Sequence, residues 1–424
     1  MASSESPDGV SKSSAAQTLS NHVHHSGRPM RGMLVMFLRG CILFALLSIR
    51  CVAQIPETSR ADFEIPGGSI FGAALSKDGS VLYAQQYLSD DSAGASRQHI
   101  VKISSWDVKR KATLVSKSFP ESHRSQTFPC RRTLLGATSG HLYVCSDRTS
   151  IRILDGKELT TFRTLQYPSE GTIHDFAIDE PRDRLYILAD HANGVTTLEE
   201  MAISTAAKIN GVVLTDSMLA YSPLAYRSAS ALLTVAFTRT SGFGQKTDLV
   251  FYDGSTLNNI RKVADLPRID GLLFVGSRLL AAPGYAGSRK SECLLSFDLQ
   301  TFESDSEFCA PKTGVDFSVA SVDDAYLVAA TGVNRPKLFS DTVESVSSSV
   351  SIWSIETKKL LTTLPLPAGF TSALAGITIL GSSGGCFIAY QSSGVSPIVV
   401  SACIADAPVL APHNRLCMFI EQRP

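Results

Sequence analysis

Val350–Leu364 reads Val-Ser-Ile-Trp-Ser-Ile-Glu-Thr-Lys-Lys-Leu-Leu-Thr-Thr-Leu. Apolar and polar residues alternate, a polar turn follows, and a second extended run begins, which is the pattern of a half-buried β-hairpin. The same hairpin recurs along the chain, and this recurrence restricts the fold more than any other feature. With Ile355-Glu356 as the point where the first strand gives way to its turn, the matching points upstream are Trp106-Asp107, Leu154-Asp155, Ile203-Ser204, Tyr252-Asp253 and Phe297-Asp298. Positions 107, 155, 204, 253, 298 and 356 are separated by 48, 49, 49, 45 and 58 residues, and a further step of 50 reaches Asp406, after the run Ile398–Ile404.

A period of about 40–50 residues with four short strands per unit describes the blades of a β-propeller. One four-stranded sheet cannot bury both faces alone, whereas blades stacked radially cover one another. The innermost strand of each blade is expected to be small and apolar, because blades converge there. Phe71–Leu75, Phe176–Ile178, Leu272–Val275, Phe317–Ala320 and Leu374–Leu380 qualify. The next strand follows a tight turn: Lys77-Asp78-Gly79-Ser80 leads into Val81–Ala84, and Asp183-Arg184 into Leu185–Leu188. Asp-Gly suits such a turn because Gly accepts positive φ without steric cost.

Seven four-stranded antiparallel blades can be drawn, over roughly Ser69–Phe119, Cys130–Tyr167, Gly171–Leu214, Ser217–Leu266, Arg268–Cys309, Gly314–Leu366 and Gly369–Ile404. Ahead of them, Phe63-Glu64-Ile65-Pro66-Gly67-Gly68 matches Leu364-Pro365-Leu366-Pro367-Ala368-Gly369, the end of the sixth unit. Ala61–Pro66 is therefore expected to close the ring as the outer strand of the last blade, with Arg415–Ile420 a rival for that place. The polar stretches Ser89–Gln98, Pro120–Pro129 and Asn334–Ser349 read as surface loops.

With 424 residues, the chain is long enough for one large all-β domain, and the regular repeat argues for one over residues 54–424. The formal net charge is zero, so no basic excess exists to neutralise phosphates, which argues against nucleic acid. Lys109-Arg110-Lys111 reads as a solvated hairpin turn. Residues 1–29 are rich in Ser and poor in large apolar residues, as a disordered tail would be, and Met30 or Met33 offers a later translation start. His24-His25 in such a tail is no metal site. Residues 30–53 resemble a bacterial-type secretory signal peptide, with Arg31 and Arg39, the apolar run Cys41–Ile49, and Cys51-Val52-Ala53 before a cut ahead of Gln54. The apolar core is short for a permanent membrane helix, and Arg50 directly before Cys51 does not look like a lipobox. The expected place is secreted or periplasmic, the alternative an uncleaved anchor through Leu34–Ile49.

Val350-Ser351-Ile352-Trp353 to Lys359-Leu360-Leu361, Ile151-Arg152-Ile153-Leu154-Asp155-Gly156-Lys157, and Ser76-Lys77-Asp78-Gly79 before Val81-Leu82-Tyr83 resemble WD40-like propeller repeats of the bacterial kind, including those called YVTN or surface-layer-like. The resemblance covers about 61–404 and implies the propeller fold. One Trp-Asp pair occurs, Trp106-Asp107, and no Gly-His is in register with it, so the hydrogen-bond network of eukaryotic-type WD40 repeats is not implied.

No Gly-x-Ser-x-Gly in a strand-to-helix setting, no phosphate-cradling loop and no Cys-x-x-Cys pair occurs, and the nine His show no ligand spacing. One constellation suggests a site. His174-Asp175, Asp270 and Asp316 stand just before the inner strands of three blades, positions expected to converge on one mouth of the central channel. There they would bind a cation, a cationic ligand or a sugar; alternatively each Asp caps its loop through nearby backbone N–H groups. Three function classes follow: a secreted non-catalytic propeller binding a protein or glycan, a hydrolase similar to propeller lactonases with its site at the channel mouth, and a structural envelope protein. The lack of a motif favours the first, without cofactor and as a monomer.

Seven cysteines follow Cys51. Cys293 and Cys309 average to the turn at Thr301, Cys386 and Cys403 to 394.5 in Ser393-Gly394-Val395, and Cys130 and Cys145 to 137.5 beside Thr138-Ser139-Gly140. Each midpoint is a polar or Gly-containing turn, so both cysteines of each pair lie roughly opposite on adjacent strands, at a separation that modest adjustment brings to bonding distance. The expected disulfides are 130–145, 293–309 and 386–403, as an exported chain permits, with Cys417 free.

Overall fold

The computed structural model describes residues 58–90, 98–120, 130, 132–145, 148–167, 171–191, 193–215, 223–241, 244–283, 292–310, 314–336, 343–367, 377–391 and 397–404. The tail 1–29, the export segment 30–53, Arg415–Ile420 and Cys417 lie outside these residues. Strand β1 (Thr58–Glu64) is followed by seven groups. Blade 1 is β2 (Ile70–Leu75), β3 (Val81–Asp90), β4 (Gln98–Asp107) and β5 (Ala112–Pro120). Blade 2 is β6 (Thr133–Leu135), β7 (His141–Cys145), β8 (Ser150–Asp155) and β9 (Thr161–Gln166). Blade 3 is β10 (Gly171–Asp179), β11 (Arg184–His191), β12 (Thr196–Ala202) and β13 (Lys208–Thr215). Blade 4 is β14 (Leu224–Arg227), β15 (Leu232–Ser241), β16 (Gly244–Asp253) and β17 (Asn259–Pro267). Blade 5 is β18 (Ile269–Val275), β19 (Arg278–Pro283), β20 (Leu294–Asp298) and β21 (Ser304–Glu307). Blade 6 is β22 (Gly314–Val322), β23 (Tyr326–Pro336), β24 (Val343–Ser354) and β25 (Leu360–Pro365). Blade 7 is β26 (Ile377–Gly381), β27 (Cys386–Gln391) and β28 (Ile398–Ile404), completed by β1.

Each blade is a meander, and β1 pairs antiparallel with β28 from Thr58↔Ile404 to Glu64↔Ile398. The expected closing strand thus exists, starting three residues earlier than Ala61. The inner strands β2, β26, β22, β18, β14 and β10 contact one another in turn, and β6 adjoins β2. Seven-bladed closure, four-stranded blades and the absence of helices longer than one 3-10 turn among the described residues agree with the repeat period.

Seven apolar clusters fill the seven seams between blades. Side chains of a strand alternate between its faces, and both faces of a middle strand meet a neighbouring blade. On β11, Leu185, Ile187 and Ala189 enter the seam with blade 2, while Tyr186 and Leu188 enter the seam with blade 4. This is why the second strand of a blade reads as a continuous apolar run. Burying each such side chain contributes roughly 1.5–3 kcal/mol, so the seams hold the ring together. Polar bonds add direction: Trp353 Nε1 donates to the Cys309 carbonyl at 3.2 Å and Tyr186 Oη to the Gly254 carbonyl at 2.8 Å.

The recurring hairpin of the sequence is the connection from third to outer strand. Asp107, Asp155, Asp253 and Asp298 end the third strand, and their Oδ1 atoms accept N–H groups two or three residues on, such as Lys157 at 2.9 Å and Glu158 at 2.8 Å. The residue four positions on is left-handed in every one: Lys111, Leu159, Leu257 and Phe302. That conformation costs a non-glycine about 1–2 kcal/mol, offset where Leu159 and Leu257 bury their side chains. Blades 3 and 6 are corrected by two residues. Their strand ends are Ala202 and Ser354, with left-handed Ala206 and Lys358, and not Ser204 and Glu356. Ala202 cannot cap its turn, and Asp183 of the preceding hairpin does so instead, taking Ser204 N at 2.7 Å together with the Ser204 hydroxyl.

Immediately after this turn, the ladder to the outer strand skips one residue in five blades: Leu114, Phe162, Ile209, Ile260 and Leu361. A bulge re-aims its extra side chain, and the first four are exposed. A second correction concerns Asn334–Ser349. Strands β23 and β24 continue through it, pairing Asn334↔Ser345 and Pro336↔Val343, so only 337–342 connects them. Backbone pairing needs no apolar side chain, so a polar composition concealed a hairpin arm.

All three predicted cysteine pairs are bonded in the structure, with Cα–Cα distances of 5.8 Å for Cys130–Cys145, 4.0 Å for Cys293–Cys309 and 3.9 Å for Cys386–Cys403. Cys386 and Cys403 are direct partners on β27 and β28.

Candidate functional site

Inner strands all begin at one end of the ring, the start face, and the turns that follow the inner and third strands lie at the other, the turn face. Asp175, Asp270 and Asp316 sit inside β10, β18 and β22, near their first residues, and not before them. Each lies where the first ladder loses register, between Ile173 and Asp175, Ile269 and Gly271, and Val315 and Val319. Blade 1 slips in the same place, between Ile70 and Gly72. What the three positions share is an irregularity of the inner strand, a bulge.

Their side chains have separate partners. Asp175 Oδ2 accepts Arg132 Nη1 at 2.6 Å and Leu224 N at 2.8 Å, while Oδ1 accepts Phe176 N at 2.9 Å. The same Arg132 Nη1 reaches the Leu224 carbonyl at 2.6 Å. Arg132 precedes β6 and Leu224 opens β14, so this group clips blades 2, 3 and 4 together. Asp270 Oδ1 accepts Arg268 Nε at 2.6 Å, and Arg268 Nη1 donates to Gln245 Oε1 at 2.8 Å, joining blade 5 to blade 4. The side chain of Asp316 lies outside the described residues. Among the described residues, no three His, Cys, Asp or Glu are placed to hold a metal ion.

His174, the extra residue of the β10 bulge, has its Nε2 2.5 Å from Oδ2 of buried Asp190, whose Oδ1 accepts the Thr196 hydroxyl. A carboxylate behind an imidazole fixes the ring and leaves the second nitrogen as its working pole. The first ring nitrogen is the one engaged here, and no hydroxyl or thiol bonds His174 among the described residues. One step outward in blade 3, His191 Nε2 lies 2.9 Å from Thr197 Oγ1 and 3.2 Å from Tyr167 Oη. Glu199, at 3.8 Å from His191, is paired with Lys208 at 2.8 Å.

Asp190, Thr196, Arg132 and Arg268 were not picked out from the sequence. The available signal was Asp190-His191 ending an otherwise apolar strand, which marks a buried charge needing a partner. Arg132 carries no such signal, since its partners are 43 and 92 residues away.

On the turn face, Glu180 joins blade 3 to blade 2. It accepts Thr138 N at 2.8 Å, Thr138 Oγ1 at 2.7 Å, Ser139 N at 3.2 Å and Tyr143 Oη at 3.0 Å, besides the Ser139 hydroxyl. Burial alone would raise its pKa, but the Ser139 and Thr138 hydrogen bonds outweigh burial and bring it down to about 2. Asp179 is held below its ordinary value in the same way: burial opposes, and bonds from Tyr226 and Ser228 of the next blade and from Arg182 of its own prevail.

No family model matches the chain, and no curated protein matches it by sequence. Solved structures do. The crystal structure of a mitotic checkpoint complex includes a chain at 12% identity and TM-score 0.53, covering 93% of this chain and 99% of that one. Chaetomium thermophilum Raptor matches at 12% identity and TM-score 0.56 over 90% of this chain and 33% of its own length. The β-propeller domain of Myceliophteria thermophila Cps50 (Swd1) matches at 13% identity and TM-score 0.52 over 81% of this chain and 99% of that one. At these identities the likeness is one of fold. The fold is a seven-bladed β-propeller.

Proposed function

We propose that this chain is an exported, non-catalytic propeller that presents its start face to a protein or glycan partner. The observation that carries this is the fate of the polar groups there. The Asp175 and Asp270 carboxylates are engaged by arginines of the same or a neighbouring blade, which makes a rigid platform and, among the described residues, assembles no nucleophile with its base. His174, with Asp175, Asp270 and Asp316 around the channel, would contact a cationic or sugar group of the partner. Export is supported by three disulfides, which persist in oxidising compartments, and by the signal-like segment 30–53, with cleavage ahead of Gln54. The Ser-Lys-Asp-Gly turn, in which Asp78 accepts Ser76 and Ser80 and Gly79 takes φ 76°, supports the finer placement among bacterial YVTN-type repeats.

The His174–Asp190 pair favours a second reading, a hydrolase similar to propeller lactonases. One titration separates the two. Neutral and cationic oligosaccharides are titrated calorimetrically into the purified protein and its H174A and D270N variants, and lactone hydrolysis is assayed in parallel. Saturable binding weakened in both variants, without turnover, is expected. Turnover abolished by H174A would replace the scaffold with the hydrolase.

A further inference from the structure

Outer strands are sheet edges, and proteins protect such edges with charges, prolines or short length. Six of the seven are protected here. β1 carries Arg60, Asp62 and Glu64; β5 carries Lys117 and ends on Pro120; β9 carries Arg163. β17 carries Arg261, Lys262 and Asp265 and ends on Pro267; β21 is four residues with Asp305 and Glu307; β25 ends on Pro365. β13 reads Lys-Ile-Asn-Gly-Val-Val-Leu-Thr, with no proline and no charge after its first residue. That one charge is cancelled by Glu199 at 2.8 Å.

Strand β13 also exposes apolar side chains near both of its ends. Leu114, Phe162, Ile209 and Ile260 are bulge residues, and Leu360 adjoins the blade 6 bulge. Val213 is paired opposite Thr197, beside a second slip of the β13 ladder that skips Leu214, and is 65% exposed. Gly211, two residues before it on the same face, is a strand glycine of the sort found where another backbone comes close.

From these features we infer that β13 is a docking edge, to which a partner protein adds an extended segment as a fifth strand of blade 3. The segment is apolar at alternate positions and acidic at its ends. Its charge follows from the surroundings. Arg163 of the neighbouring outer strand bonds the Ile203 and Ser204 carbonyls in the turn leading into β13, so no carboxylate among the described residues cancels it. Exposed Arg261 lies on the outer strand at the other side, next to Lys262, whose charge is offset by Asp248 at 2.8 Å. The same cations would repel a second ring docked edge to edge. One added strand also covers several hundred Å2, short of the roughly 1,200 Å2 at which specific stable interfaces begin, which suits a peptide and not a dimer. The inference concerns the perimeter and holds whether or not the start face binds anything.

The probe is a synthetic peptide of about eight residues, alternating valine and threonine with aspartates at both ends. Saturable binding is expected, with slowed amide exchange confined to 208–215. V213K, which supplies the missing edge charge, should weaken it at least about tenfold, while V213T, still β-branched, and L114K on blade 1 should not. Because Val213 is exposed, V213K keeps the fold, and unchanged exchange in β11 checks this. Equal binding by V213K, or no protection of 208–215 at saturating peptide, would overturn the inference. So would self-association of the unliganded protein that V213K abolishes, since the occupant would then be a second copy.

Discussion

Arg132 and Asp175 form an ion pair of 2.6 Å between blades 2 and 3, and both also bond the backbone of Leu224 in blade 4. One partly buried pair thus fixes three blades at the start face. D175N keeps the shape and removes the charge, which should lower stability by about 2 kcal/mol, the scale of a charged hydrogen bond. A double-mutant cycle with R132A, followed by urea unfolding, should show the two losses to be strongly non-additive. Full additivity would mean the pair carries no stability of its own.

Glu180 makes the turn face sensitive to acid. Its folded pKa of about 2 lies below the ordinary 4.5. The stability it contributes is therefore complete above pH 4.5 and is lost as pH falls towards 2. E180Q should unfold at lower denaturant than the native chain at pH 7, and the gap should close across that acid window. A gap that stays constant with pH would place the effect in packing.

The Cys130–Cys145 bond closes a separation of 15 residues and is buried in the seam between blades 2 and 3. The double variant C130A/C145A should lose about 3 kcal/mol in the chain-entropy estimate, read from urea midpoints of protein made under oxidising conditions. An unchanged midpoint would show that the unfolded chain is not restrained by this loop.

Deleting residues 54–66 removes β1 and leaves the edge of β28 unpaired. Light scattering should show concentration-dependent association that the complete chain lacks. A monodisperse deletion variant would show that closure by β1 is dispensable.

The indole of fully buried Trp353 links blade 6 to the Cys309 carbonyl of blade 5. W353F keeps most of the apolar contact and loses that bond, so it should cost about 1–3 kcal/mol. W353A should cost about 3–5 kcal/mol. Thermal unfolding of both variants tests the order.

Local chemistry was enough to fix much of this protein in advance. Asp107, Asp155, Asp253 and Asp298 can be seen in the sequence because an aspartate capping its own turn needs only the next three residues. Seven blades follow from the spacing of such turns, and the cysteine pairs follow because both members flank one hairpin. Where the cap comes from elsewhere, as Asp183 does for the turn after Ala202, the sequence misplaces the turn by two residues. The tertiary structure alone decided what the start-face carboxylates do. Asp175 looks the same in sequence whether it meets solvent, a ligand or Arg132, and its arginine arrives from another blade. Which strand is outermost in each blade, and so which edge is left unguarded, was likewise settled by pairing, and the exposure of Val213 at 65% is visible only in the folded ring. Pairing within a hairpin is set by neighbours along the chain, whereas contacts between blades join residues tens to hundreds of positions apart, and no local pattern encodes them.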